Sequence, residues 1–188
     1  MNREQIAEGA RLILKGLGED VVREGLKDTP DRVARAWLEL CSGYEMSAEK
    51  VLESASFEGN GYDEMITVGP VDFYSTCEHH LLPFIGEAWV AYVPREKVVG
   101  LSKLPRLVEV YARRLQIQER MTQEIATAIE KHLNPKGWAV LIRAKHLCTC
   151  ARGVAKPRVL MTTTSLGGVF RENPSAKAEF LAEIRSRE

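Results

Sequence analysis

The order in which the hydrophobic pattern changes along the chain limits its fold more than any other feature. From about Met65, helical spacing gives way to strand-like runs. Met65-Ile66-Thr67-Val68 and Val71-Asp72-Phe73-Tyr74 flank Gly69-Pro70, which is expected to bend or bulge a sheet. Glu87 to Val93 is a further strand bounded by Gly86 and Pro94. Two helices follow. Leu104, Leu107, Val108, Tyr111 and Leu115 form one stripe; Met121, Ile125 and Ile129 form a second, ended by Asn134-Pro135 and Gly137. Trp138 to Ala144 and Val159 to Ser165 read as two more strands, and a last helix starts at Asn173-Pro174. Ahead of the strands, Ile6, Ala10, Ile13, Leu14 and Leu17 mark one helix. Thr29, as N-cap with Pro30 at N1, opens another that carries Val33, Trp37, Leu40 and Cys41. Runs of strands separated by runs of helices predict an α+β fold with an antiparallel sheet rather than alternating βαβ units. The expected division is a helical segment over 1–55 and a catalytic domain over 56–188, together one structural unit.

Composition narrows the function classes. At 188 residues, 45% hydrophobic and 28% charged, the chain has the balance of an ordinary soluble protein. Lys+Arg and Asp+Glu both number 26, so no global basic field exists to hold nucleic acid. Anion recognition must come from local clusters. No apolar stretch approaches the roughly 18 residues of a membrane span, and Met1-Asn2-Arg3-Glu4-Gln5 leads into no apolar signal region. The expected location is the cytoplasm, with no membrane partner. The four cysteines are too few and too scattered for a disulfide framework.

The chemistry concentrates in Cys77-Glu78-His79-His80 and His146-Leu147-Cys148. Thiolate and imidazole are the donors zinc prefers, and a C-x-x-H spacing lets both reach one ion. Cys77, His80 and Cys148 supply three ligands and leave a fourth position for water. His79 and His146 then stand beside the metal as proton-transfer groups. A closed structural site with Cys150 as fourth ligand is the alternative, because residues two apart on a strand share a face. Cys41 falls on a helical apolar stripe and reads as core.

Two further clusters fit an anionic, base-bearing ligand. In Gly100-Leu101-Ser102-Lys103-Leu104-Pro105-Arg106, Ser102 suits an N-cap, which puts Lys103 and Arg106 at a helix N-terminus where free N–H groups favour phosphate. The opposing reading is a solvated charged turn. Arg152 lies four residues beyond Cys148 and adds a guanidinium; Arg32 and Lys156 are weaker additions. Gln118 and Glu119, between the two helices, pair an amide with a carboxylate, a combination that can read a guanine edge. On spacing alone an exposed helix connection explains them equally well.

Together these segments resemble GTP cyclohydrolase I. The likeness runs from Thr29-Pro30-Asp31-Arg32 to Phe180-Leu181 and includes CEHHLLPF (77–84), GLSKL (100–104), QIQER (116–120), HLC (146–148), ARGV (151–154) and TTTSLGGVF (162–170). It implies a tunnelling fold: an antiparallel four-stranded sheet backed by two antiparallel helices, with an N-terminal helical part. It also implies a homodecamer with active sites between subunits, and one zinc ion per subunit on Cys77, His80 and Cys148. By the same resemblance His79, His146 and Ser102 are catalytic. Gln118 and Glu119 read guanine, and Lys103, Arg106, Arg152 and Arg32 hold the triphosphate. The implied reaction turns GTP into 7,8-dihydroneopterin triphosphate and formate at the start of pterin and folate biosynthesis. Rival readings are a nitrile reductase on the same fold and a non-enzymatic zinc scaffold.

Overall fold

Asn2 opens the first helix of the computed structural model, which describes residues 1–186. Its side chain accepts the Gln5 amide at 3.0 Å and caps α1 (Arg3–Gly16). The second helix, α2 (Thr29–Leu40), starts at its expected cap, one residue earlier than expected. Asp28 takes the N-cap position, and the Thr29 hydroxyl instead bonds back to the Gly25 carbonyl at 3.3 Å. Pro30 sits in the first turn, where its missing N–H costs nothing. Arg3 and Arg35 both pair with Asp31, joining the two helices and holding that carboxyl below its ordinary range. These helices belong to a unit spanning Met1–Ser42.

The second unit, Gly43–Glu188, holds the sheet. It contains α3 (Ala48–Glu53), which Ser47 caps and whose Leu52 is fully buried in the main core, so this unit starts ahead of residue 56. Next come β1 (Ser56–Glu58), β2 (Ile66–Cys77), β3 (Pro83–Val93) and β4 (Lys97–Val99). They are followed by α4 (Lys103–Ala112), β5 (Leu115–Gln116) and α5 (Gln118–Leu133). The chain then runs through β6 (Gly137–His146), α6 (Leu147–Cys150), β7 (Met161–Gly168), α7 (Val169–Glu172) and α8 (Pro174–Arg185). The main sheet has the order β5-β2-β3-β6-β7. Its four long strands are antiparallel, as expected, and β5 adds a short parallel edge to β2. A separate ribbon pairs β1 with β4.

Alternation along the strands sorts the core into two layers. Phe84, Ala88, Val90 and Tyr92 of β3, with Val140, Ile142 and Ala144 of β6, face α4 and α5. Trp89, Ala91, Ala139 and Leu141 face the opposite way, onto Phe170, Phe180 and Ile184. In β2 the register shifts between Val68 and Val71, the bulge expected at Gly69-Pro70. The shift changes parity, so Ile66 and Val68 before it and Val71, Phe73 and Cys77 after it all reach the helical side. Cys77 therefore ends β2 facing α5.

Leu115 departs from its expected place on the α4 stripe. The helix stops at Ala112 because Arg113 leaves the helical region (φ −81°, ψ 57°) and its carbonyl accepts from Gly43 at 2.9 Å. The Leu115 amide is then taken by the Tyr44 hydroxyl at 3.1 Å, and the residue pairs with Thr76 at the sheet edge.

Phe170 and Phe180 meet edge to face at 6.0 Å beneath the sheet. Phe170→Ala is expected to lower the free energy of unfolding by about 3–5 kcal/mol, measured by urea titration. A loss below about 1 kcal/mol is incompatible with α7 and α8 being held through this contact.

Candidate active site

Two chain turns converge at one end of the helical face. β2 and β3 are joined by a tight turn in which the Cys77 N–H donates to the Leu82 carbonyl and the Leu81 N–H donates to the Cys77 carbonyl, both at 2.9 Å. This turn holds His79 and His80 just beyond the strand end. On β6, His146 is the last strand residue, and Cys148 lies in the single helical turn α6 that follows. The donor atoms of Cys77, His80 and Cys148 all lie within 4.8 Å of one another, and Cys77 Sγ is 3.9 Å from His80 Nδ1. A tetrahedral ion with bonds of about 2.0–2.3 Å needs ligand separations of roughly 3.5–3.8 Å, so small side-chain movements suffice. Two sulfurs and an imidazole are a donor set that suits zinc. Without a cation, burial and the adjacent Cys77 sulfur push the Cys148 thiol up.

Cys150 stands apart from this group. Its thiol donates to the Lys156 carbonyl at 3.8 Å. The closed four-ligand alternative assumed a strand, in which residues two apart share a face. Here they sit on a helical turn, where about 200° separates them.

A polar network steadies the β2–β3 turn. The Glu78 N–H donates to the Gln116 carbonyl at 3.0 Å, and the Glu78 carboxylate is clasped by both terminal nitrogens of Arg120. Arg120 Nε donates to Gln116 Oε1 at 3.0 Å, and Gln116 Nε2 reaches Glu124 at 2.7 Å. Glu78 is held below its ordinary carboxylate range by Arg120. His79 is largely exposed beside this network, 3.9 Å from a Glu78 oxygen.

His146 is held on two sides. Its ring lies parallel to that of Phe84, its direct partner in the strand ladder, with centroids 4.6 Å apart. Its Nε2 meets Gln118 Oε1 at 2.9 Å. Burial pushes the imidazole below its ordinary value, and the Glu119 charge pulls it partly back. The ring lines a cavity of about 350 Å³ with Thr149, Val159, Leu160 and Met161.

Gln118 packs against the strands. It is the first residue of α5 and fully buried, with its amide nitrogen within 3.0–3.1 Å of the Ile142 and Met161 carbonyls and the Thr163 hydroxyl. No polar edge of the side chain is left for a base. Glu119, next to it, is exposed. Ser102 occupies the N-cap position of α4 without a capping bond from its side chain; the Lys103 N–H donates to the Gly100 carbonyl at 2.9 Å instead, and Pro105 has no N–H. Lys103, Arg106 and Arg152 make no ion pair among the described residues. Arg32, in the first unit, pairs with Asp28 at 3.5 Å.

The pattern of the GTP cyclohydrolase I family matches residues 6–185. That span takes in every residue placed at the site. The chain belongs to the GTP cyclohydrolase I family. It is 54% identical over 169 residues to the GTP cyclohydrolase 1 of Methylococcus capsulatus, covering 90% of this chain and 91% of that one. Against the enzyme so named from Alkalilimnicola ehrlichii it is 52% identical, covering 97% and 98% of the two chains. Against that of Gloeobacter violaceus it is 51% identical, covering 98% and 86%. As a member of the GTP cyclohydrolase I family the protein is an enzyme, a hydrolase, and its antiparallel sheet with two backing helices is the tunnelling fold. Within this family frame, two residues that position the site were not singled out from the sequence. Phe84 stacks on His146, and Arg120 ties Glu78 to α5. Both stand inside the quoted CEHHLLPF and QIQER segments, but their roles depend on pairings across the fold.

Proposed function

We propose that the enzyme converts GTP and water to formate and 7,8-dihydroneopterin triphosphate, using one zinc ion per subunit on Cys77, His80 and Cys148. The observation that carries this reading is the convergence of those three donors beside a clamped, half-buried His146. Bound there, zinc supplies a Lewis acid that makes water a stronger nucleophile near neutral pH.

The side chains divide the remaining work. Water adds to C8 of the purine while His146 gives a proton to the imidazole nitrogen that departs. A second water releases formate, the ribose rearranges, and closure of the new ring returns one water, so one GTP and one water balance the products. His79, exposed at the turn, and Ser102 assist proton movements around the sugar. The Glu119 carboxylate accepts from N1–H and the 2-amino group of guanine. Lys103 and Arg106, in the first turn of α4, take the triphosphate with Arg152, and Arg32 is a further contact.

These assignments separate by mutation. Arg152→Ala is expected to cost about 1.5–3 kcal/mol of GTP affinity, roughly ten- to a hundred-fold, while leaving guanine preferred over adenine. Glu119→Ala is expected to do the reverse, keeping the order GTP over GDP over GMP and losing base selectivity. Equal affinity of the wild type for guanosine and GTP contradicts the phosphate assignment.

The proposed working form is a homodecamer with active sites where subunits meet. Tyr74 and Ile85, opposite each other in the ladder, are 56% and 40% exposed on the sheet face away from α4 and α5. Paired exposed apolar groups of this kind favour association. Light scattering is expected to give a mass near ten subunits; an active monomer contradicts shared sites. No helix among the described residues is long and apolar enough to cross a membrane, and the proposed location is the cytoplasm. The direct test is incubation of the zinc-loaded protein with GTP, followed by oxidation. A fluorescent pterin is expected, and its absence contradicts the proposal.

A further inference from the structure

The Gln118 amide can adopt only one orientation. Its nitrogen faces the carbonyl oxygens of Ile142 and Met161 at 3.1 Å, and these groups only accept. Turning the amide over would set its own oxygen against two acceptors in a fully buried position. The hydroxyls around it agree. Thr122 Oγ1 must donate to the Gln118 main-chain carbonyl, 2.7 Å away. The Thr163 hydroxyl therefore donates to Thr122 Oγ1, also at 2.7 Å, and is free to accept from the Gln118 amide nitrogen at 3.0 Å. Every link of this chain has a fixed direction.

The end of the chain is His146. With its nitrogen committed to the strands, Gln118 presents Oε1 to His146 Nε2 at 2.9 Å. An amide oxygen only accepts, so Nε2 must carry a hydrogen. Phe84, stacked 2° from parallel, fixes the plane of the imidazole but allows two orientations related by a half-turn about the Cβ–Cγ bond. The hydrogen bond selects between them, because the half-turn would put a ring carbon opposite Oε1.

We infer that Gln118 is a positioning residue that locks His146 in its Nε2–H form, leaving Nδ1 as the ring nitrogen that exchanges a proton with the substrate. This rests on the proposed role of His146 in GTP ring opening. It also gives the buried amide a function different from reading the base, with the contact to guanine falling to its exposed neighbour Glu119.

The test uses zinc-loaded enzyme labelled with nitrogen-15 histidine. The chain has four histidines, and the His146 signals are those lost in His146→Asn. At alkaline pH, where the ring is neutral, the wild type is expected to show the proton on Nε2 and a bare Nδ1. A proton on Nδ1 overturns the inference, and this measurement stands even where variants fold poorly. Gln118→Met keeps the volume and removes both the acceptor and the donors. It is expected to populate the Nδ1–H form and to lower kcat roughly 10- to 100-fold, with zinc content unchanged and KM for GTP within about threefold. An unchanged kcat with a raised KM overturns the inference in favour of base reading. A wild type that turns over no GTP instead overturns the functional reading and leaves the tautomer result standing.

Discussion

Replacing Cys148 by serine is expected to remove zinc and turnover together. A hydroxyl is a far weaker ligand than a thiolate, and of the three convergent donors Cys148 alone comes from the β6–α6 side. Since a bound metal contributes several kcal/mol to transition-state charge stabilisation, the fall in kcat should be roughly a hundred-fold or more. Zinc content by mass spectrometry and turnover of GTP are the two readouts. Full metal with full turnover would falsify the three-ligand assignment. Cys150→Ser is the paired control: its thiol faces the Lys156 carbonyl, so zinc and rate should stay near normal. Metal loss in that variant would reinstate the closed site.

His146→Ser is expected to separate binding from chemistry. The histidine is not among the three convergent donors, so zinc should remain and GTP should still bind. The rate of ring opening should fall about 10²–10⁴-fold, the usual contribution of a placed proton-transfer group. Serine also leaves the Gln118 oxygen without its donor in a buried position, so a small loss of stability should accompany the loss of rate. Wild-type rates are incompatible with the proposed role, and loss of zinc would move His146 among the ligands.

Features that depend on local periodicity were legible in the sequence. Alternation placed the four long strands, and Gly69-Pro70 marked the bulge that brings Cys77 onto the helical face. The grouping of Cys77, His80 and Cys148 was legible because few chemistries other than metal binding call for Cys-x-x-His and a second cysteine. Features that depend on backbone events between elements were not. Leu115 continues a helical stripe on paper, yet the backbone leaves the helix at Arg113 to satisfy Gly43. Cys148 and Cys150 share a face only if they lie on a strand, and α6 is a helical turn. Gln118 shows the limit most clearly. Its amide partners are 24, 43 and 45 residues away on two strands, so nothing beside it in the chain distinguishes a buried clamp from a base-reading amide.

The same tertiary placement explains why the site needs the sheet. Phe84 and His146 face each other only because β3 and β6 pair in that register. A slip of one residue would turn His146 to the opposite face, away from Gln118 and from Cys77, His80 and Cys148.

Carbon tracing tests the central claim most directly. Zinc-loaded enzyme is given GTP carrying carbon-13 at C8, and the products are followed by NMR. The account predicts that the label leaves as formate, one for each 7,8-dihydroneopterin triphosphate formed, with all three phosphates retained on the product. Label remaining in an intact purine, or release of phosphate without formate, would contradict it.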